Sequence, residues 1–152
     1  MKPRSQNSLR QLAQAIALLT LDISFAAQAD HVGSALSITD ILTALYFSVM
    51  KRHDKFILSK GHAAAALYAT LYKKGVLTQT ALKSFGQNTG LCKHPEITTP
   101  GVNMTSGSLG HGLAFGIGMA HGQKLLRSKS RTFVLLSDAE CDAGSTWEAA
   151  LL

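Results

Sequence analysis

Three histidines and one aspartate stand where this chain has to turn. His31 precedes Val32-Gly33-Ser34, His62 follows Gly61, and His94 precedes Pro95. Imidazole donates and accepts protons near neutral pH, so such residues suit work on hydroxyl and carbonyl oxygens. A loop histidine is about as often an ordinary surface residue. Asp138 follows the apolar run Thr132–Leu136, which reads as a buried strand. A carboxylate at the carboxyl end of such a strand sits where open α/β sheets bind ligands, and its hard oxygens suit Mg²⁺ bridging a phosphate. The same aspartate would serve to cap the turn, and by local pattern alone capping is the commoner role. Gly107-Ser-Leu-Gly110 is a glycine turn of a kind that ordinary tight turns demand as often as ligands do. The other histidines carry less. His53 has no motif around it and reads as solvent-facing, His111 reads as a helix-start residue before a ligand, and His121 reads as a structural residue on a helix. No pair among the six has HxxxH or HExxH spacing.

The elements that would position these groups follow from apolar spacing. Leu9, Leu12, Ile16, Leu19, Ile23 and Ala26 form one stripe of a helix over about 8–29, stopping near Asp30-His31-Val32-Gly33 where glycine allows a turn. Ser37 and Asp40 have capping-box spacing ahead of a helix with Ile41, Leu42, Leu45, Tyr46 and Val49 inside. A basic loop, Lys51–Lys55, precedes a short strand at Phe56–Leu58. Helix then runs over 63–74 to Gly75, and a shorter one over 78–85. From Gly86 to Gly112 no period is sustained, and a loop of that length inside a domain is usually functional. Helix resumes at about Gly110 and runs to Arg127. Its glycines at 112, 116, 118 and 122 point to close packing against neighbours or a ligand, since each costs about 1 kcal/mol relative to alanine. Beyond Asp138, Ser145 and Glu148 form a second capping box opening a helix at Trp147. The order predicts an α/β fold with the two strands parallel.

With 152 residues, 46% hydrophobic and 16% charged, the chain can build one globular core. No apolar run reaches the roughly 18 residues that a bilayer span requires, and the periodic amino terminus is not a signal-peptide core, so no membrane partner is expected. Cys92 and Cys141 form no CxxC pair and no metal spacing, which suits a reduced, cytoplasmic setting. The formal charge of +6 comes from scattered Lys and Arg without interleaved aromatics. That argues against nucleic acid and for a basic surface that favours small anionic ligands.

Taken together, His31-Val-Gly-Ser, Leu58-Ser-Lys-Gly-His62, Lys93-His94-Pro, Gly107-Ser-Leu-Gly110 and Ser137-Asp138-Ala-Glu140 resemble the amino-terminal, diphosphate-binding domain of transketolase in order and approximate spacing. The resemblance runs from about Leu9 to Leu152. It implies the thiamine diphosphate-binding fold, a partial parallel sheet flanked by helices, with residues 1–152 forming part of that domain. It implies transfer of a two-carbon ketol group between sugar phosphates, as in the pentose phosphate pathway of carbohydrate metabolism, with thiamine diphosphate and Mg²⁺ as cofactors. His31, His62 and His94 then line the donor site, His62 also reaching the cofactor diphosphate. Backbone groups of Gly107 and Leu109 contact thiamine, the Ala139 N–H approaches the diphosphate, and Asp138 binds Mg²⁺.

The sequence departs from the family pattern in several places. Ser108 replaces a common Pro and His111 a common Gln; Ala139 stands for the glycine after the aspartate, Ala143 for an interface Glu, and Asp30 for the Gly before the first histidine. Leu152 falls inside the thiamine diphosphate motif. The resemblance therefore implies an amino-terminal portion that works in a dimer with further chain or a carboxyl-terminal subunit, the split form of transketolase. The alternative is a truncated, inactive remnant. An unrelated nucleotide-binding module finds no support, because GxGxxG is absent after both strands.

Overall fold

The computed structural model describes residues 5–152, which fall into two units: residues 5–50 with His62–Lys93, and Lys51–Gly61 with His94–Leu152.

The first unit is helical. Helix α1 spans Gln6–Ala26 and is capped by Ser5, whose Oγ accepts from the Ser8 N–H at 3.3 Å. Its buried face is Ala13, Ile16, Thr20, Ile23 and Ser24, a stripe rotated slightly from the expected one, with Ala26 exposed. Thr20 is tolerated inside because its hydroxyl donates to the Ile16 carbonyl at 2.8 Å. Gln28, with φ 47°, takes the left-handed position after α1, so the turn does not depend on Gly33. Two short helices, α2 (Val32–Leu36) and α3 (Thr39–Ala44), lead into a π-helical turn over Leu45–Val49. The Ser37–Asp40 capping box does not form. Ile38 takes the N-cap position, and Ser37 Oγ donates back to the Ser34 carbonyl at 2.9 Å. Leu42 and Tyr46 are buried as expected, but Ile41 and Val49 are exposed, and Ile38 and Phe47 are buried in their place. The wider π turn, closed by the Met50 N–H on the Leu45 carbonyl, shifts the inward face by a residue.

Val32–Val49 also corrects the expectation that no apolar run reaches 18 residues. By length and composition it is long and apolar enough to cross a membrane, although it is divided among three elements and 39% of it is buried within the protein. Helix α4 (Ala64–Lys73) is buried from Ala64 through Leu71 and packs against α1, α2, α3 and α5 (Gln79–Lys83). Its alanines let those neighbours approach closely, while Tyr68 fills space beside Phe85, the rings 5.8 Å apart edge to face.

The second unit is built on strands β1 (Lys55–Leu58) and β2 (Thr132–Leu135), which pair in parallel with Lys55 opposite Thr132 and Leu58 opposite Leu135. Parallel pairing requires a long crossover, and helix α6 (Gly112–Leu125) supplies it within this unit by packing on β2 and β1. The expected burial of the second strand holds only at Leu135. Thr132, Phe133 and Val134 are half-buried, because β2 has one paired neighbour among the described residues. The long segment from Ser84 to His111 carries no helix or strand, as expected. Beyond β2, a 3₁₀ turn over Ala139–Asp142 leads to α7 (Gly144–Ala150). The second capping box is also absent: Ala143 takes the N-cap position, and Ser145 Oγ donates to the Gly110 carbonyl at 2.9 Å. The Trp147 indole N–H donates to the Cys141 carbonyl at 2.6 Å, tying α7 to the turn before it.

The glycines of α6 divide by face. A Cβ on Gly116 would lie 2.4 Å from Val134 Cγ2, so the helix lies on the strand with no room for a methyl group. At Gly118 and Gly122 a Cβ would meet nothing within 4 Å. At the amino ends of the strands Asp54 acts as a staple. Its Oδ1 accepts from the Arg131 backbone N–H at 2.9 Å, and its Oδ2 accepts from Arg131 Nη2 at 2.7 Å and the Lys51 N–H at 2.9 Å. Partial desolvation acts to raise the Asp54 pKa, but the Arg131 side-chain bond, the backbone bonds and the guanidinium charge outweigh it and lower it to about 2.

This packing can be tested at both features. Gly116→Ala should lower unfolding stability by about 1–3 kcal/mol through overpacking, whereas Gly118→Ala should be neutral or add up to about 1 kcal/mol; urea melts compare them directly. The Asp54 staple should contribute fully above the unfolded carboxyl pKa of about 3.9 and be lost as pH falls through about 2. Asp54→Asn should therefore reduce stability at neutral pH and flatten the stability–pH curve on its acid side, as read by melts between pH 2 and 7.

Candidate functional site

In the first unit the structure brings two of the expected site histidines together. His31 occupies the N-cap position of α2 with φ −98° and ψ 39°, and its side chain makes no capping bond. His62 lies in the 3₁₀ turn Gly61–Ala63 that opens α4. Their rings meet edge to face with centroids 5.0 Å apart, His31 exposed and His62 half-buried. Because α2 and α4 pack on each other, this pairing follows from helix packing and not from nearness in sequence. A separate cavity of about 350 Å³ in this unit, bordered by Leu19, Asp22, Tyr72 and Lys83, contains none of the expected site residues.

The second unit collects the remaining ones at the carboxyl ends of β1 and β2. His94 is exposed beside Gly107, where a Cβ would meet its Cδ2 at 3.5 Å, an ordinary van der Waals contact. Leu109 is 42% exposed, an apolar group presented by the same turn. Gly110 closes the turn with φ 82°, and a Cβ there would lie 2.6 Å from Ser145 Oγ. Gly112 is pressed against the end of β1, a Cβ position only 2.2 Å from Ser59 Oγ. His111 stands at the N-cap of α6, the helix-start place expected of it, and His53 and His121 are exposed, the latter on α6.

Asp138 does not cap the 3₁₀ turn with its side chain, so the commoner local role is not the one it takes. Ser137 does that work, its Oγ accepting from the Glu140 N–H at 3.2 Å. Asp138 is left exposed at the end of β2. Ala139 enters the turn without a positive φ, so the backbone here does not require the glycine that the family pattern carries.

Two charged groups in the quoted motifs have no role assigned from sequence, and both are buried. Lys60, 6% exposed, follows β1. Burial pulls its pKa below the usual lysine range, opposed by the negative charges of Asp138 and Glu140, which support the ammonium. Glu140 is fully buried. Burial alone would raise its pKa, but hydrogen bonds from the Ser59 hydroxyl, the Ser137 and Gly110 backbone N–H groups and the Ser137 hydroxyl outweigh it and hold the carboxyl below the usual range. A lysine two residues after a buried strand and a glutamate two residues after an aspartate at a strand end are the available signals; only the three-dimensional contacts show that water is excluded from both.

Among the described residues, two buried side-chain oxygens have no hydrogen-bond partner, Ser106 Oγ and Thr146 Oγ1. Both border the glycine turn: Ser106 precedes Gly107, and Thr146 Oγ1 lies 3.9 Å from the Cβ position at Gly110. Unpartnered buried hydroxyls are uncommon, and a polar ligand seated at the turn is one way to satisfy them. No cluster of three His, Cys, Asp or Glu occurs among the described residues. A divalent ion here would hold Asp138 and complete its shell with phosphate and water oxygens, the coordination habit of Mg²⁺. The residues therefore fit a diphosphate with Mg²⁺.

Residues 8–152 match the transketolase, thiamine diphosphate binding domain family model. Among curated proteins, the chain is 39% identical over 141 residues to an apulose-4-phosphate transketolase subunit of Phocaeicola vulgatus, covering 86% of this chain and 50% of that protein. It is 36% identical over 157 residues to the 6-deoxy-6-sulfo-D-fructose transketolase subunit SqwG of a Clostridium species, covering 96% of this chain and 57% of that one. Human transketolase is 32% identical over 161 residues, 97% of this chain and 26% of the human protein. The chain thus spans about half the length of the first two relatives. With the motifs in register and the α/β arrangement of a parallel sheet and helices, the chain belongs to the transketolase family, as its thiamine diphosphate binding domain.

Proposed function

We propose that the chain takes part in transketolase chemistry, the transfer of a two-carbon ketol unit from a ketose phosphate to an aldose phosphate. It does so with thiamine diphosphate and Mg²⁺, and together with a partner polypeptide or further chain. The observation that carries this reading is the placement of both orphaned buried hydroxyls at the Gly107–Gly110 turn, beside strand ends that also present Lys60 and Asp138. The cofactor, when bound, supplies the carbanion-stabilising chemistry, and the protein binds and orients the reactants.

In this reading the backbone of Gly107 and Leu109 holds thiamine, His62 and the Ala139 N–H face the diphosphate, and Asp138 binds Mg²⁺. Lys60 adds positive charge next to that anion. His31, His62 and His94 bind the oxygens of the donor sugar and exchange protons with them. Relatives whose names make them one subunit of a transketolase support a partner polypeptide. The net charge of +6 favours anionic sugars. The rival reading, a family member without turnover, draws on Ala139 and Ala143 standing where the pattern carries Gly and Glu.

Thermal melts separate the two. Thiamine diphosphate at about 100 times its dissociation constant, with Mg²⁺, should add about 2.7 kcal/mol to stability, and Asp138→Asn should abolish the Mg²⁺-dependent part. No shift with the wild-type chain, alone and with the complementary subunit of a relative's enzyme, overturns the proposal. Ala139→Gly should lower Tm slightly, by the equivalent of about 0.5–1 kcal/mol, because alanine sits there without strain; a rise in Tm would show that the methyl group is crowded.

A further inference from the structure

A fully buried carboxylate beneath an anion site calls for a physical reason, since it costs desolvation and repels the ligand. Glu140 spends both of its oxygens inside the fold. Oε1 accepts from the Ser59 hydroxyl and from the Gly110 N–H at 3.0 Å. Oε2 accepts from the Ser137 N–H at 2.8 Å and the Ser137 hydroxyl at 3.1 Å. The Ser59 hydroxyl oxygen in turn accepts from the Gly112 N–H at 3.0 Å, at the start of α6. One side chain thereby ties together the end of β1, the glycine turn with the start of α6, and the end of β2. Each tie lies next to a group with a proposed ligand role: Ser59 precedes Lys60, Gly110 closes the turn begun by Gly107, and Ser137 precedes Asp138.

We infer that Glu140 is a positioning residue, clamping the Ser59, Gly110 and Ser137 segments into the one arrangement in which Lys60, the glycine turn and Asp138 serve an anionic, metal-bearing ligand. It acts through its neighbours and touches no ligand itself, because it has neither exposed surface nor a free oxygen direction. The nearby Lys60 ammonium offsets its charge. Only a carboxylate satisfies this site. The two backbone N–H groups sit on different oxygens, so a glutamine of the same shape must turn its NH₂ group toward one of them. The ligand-binding consequence rests on the transketolase reading; the clamp itself does not.

Amide hydrogen exchange on the wild-type chain and Glu140→Gln tests it. The expected result is exchange roughly tenfold faster, confined to Gly110, Gly112 and Ser137. The dissociation constant for thiamine diphosphate with Mg²⁺, by calorimetric titration, should rise at least about tenfold. Unchanged exchange at all three amides overturns the clamp, and so does acceleration spread evenly over α6 and both strands, which marks a role in global stability only. If Glu140→Gln does not fold, Ser59→Ala removes one tie and keeps the carboxylate: selective loss of protection at Gly112 with Ser137 still protected supports the clamp, and equal loss at both overturns it. Selective loss in a wild-type background that binds no cofactor supports the clamp and overturns the transketolase reading.

Discussion

Two parallel strands, four residues each, set the constraint on which the second unit depends. Parallel pairing carries the segments that follow β1 and β2 to the same end of the sheet, although they are about eighty residues apart in the chain. An antiparallel pair of the same sequences would send Ser59-Lys60 and Ser137-Asp138 to opposite ends. The pairing is held at both ends by carboxylates of different character. At the amino ends Asp54 meets a guanidinium and two backbone N–H groups. At the carboxyl ends Glu140 accepts from two hydroxyls and two backbone N–H groups, with the Lys60 ammonium nearby. The first is a charge-assisted pair at a half-exposed guanidinium. The second is a fully buried charge that survives because each oxygen direction is used.

The crossover between the strands adds a second constraint, the closeness of α6. With Gly112 against Ser59 and Gly116 against Val134, the helix lies nearer the sheet than any side chain would allow. That closeness is what brings the α6 amino terminus within reach of the Ser59 hydroxyl. It also explains why a helix with four glycines persists: two of the four are exchanged for contact, while Gly118 and Gly122 face open space and are not explained by packing here.

In the first unit the comparable constraint is the alanine-rich α4. Its small side chains admit α1, α2 and α3, and the seating of α2 is what brings His31 to His62. A histidine pair assembled this way inherits its geometry from helix packing, so changes remote from the rings, at Ala64 or Ala66, would reach the pair through the backbone.

Much of this is legible in the sequence. The apolar periods of α1, α4 and α6, the two short strands, the irregular segment before α6 and the family motifs are all local patterns, and local patterns persist when the chain folds. The capping boxes at Ser37 and Ser145 are not reliable signals, because their hydroxyls find carbonyls at Ser34 and Gly110 instead of helix N–H groups. The inward face of the segment after α3 departs from the apolar period because a π turn shifts it. Strand β2 reads as fully buried because strand length and composition do not reveal how many neighbours it has. The sequence by itself determined the element types, the family and the identity of the chemical groups. Tertiary structure alone decided that His31 meets His62 and that Lys60 and Glu140 are removed from water. Those outcomes depend on contacts between segments distant in the chain, and burial is a property of such contacts, not of any residue's own chemistry.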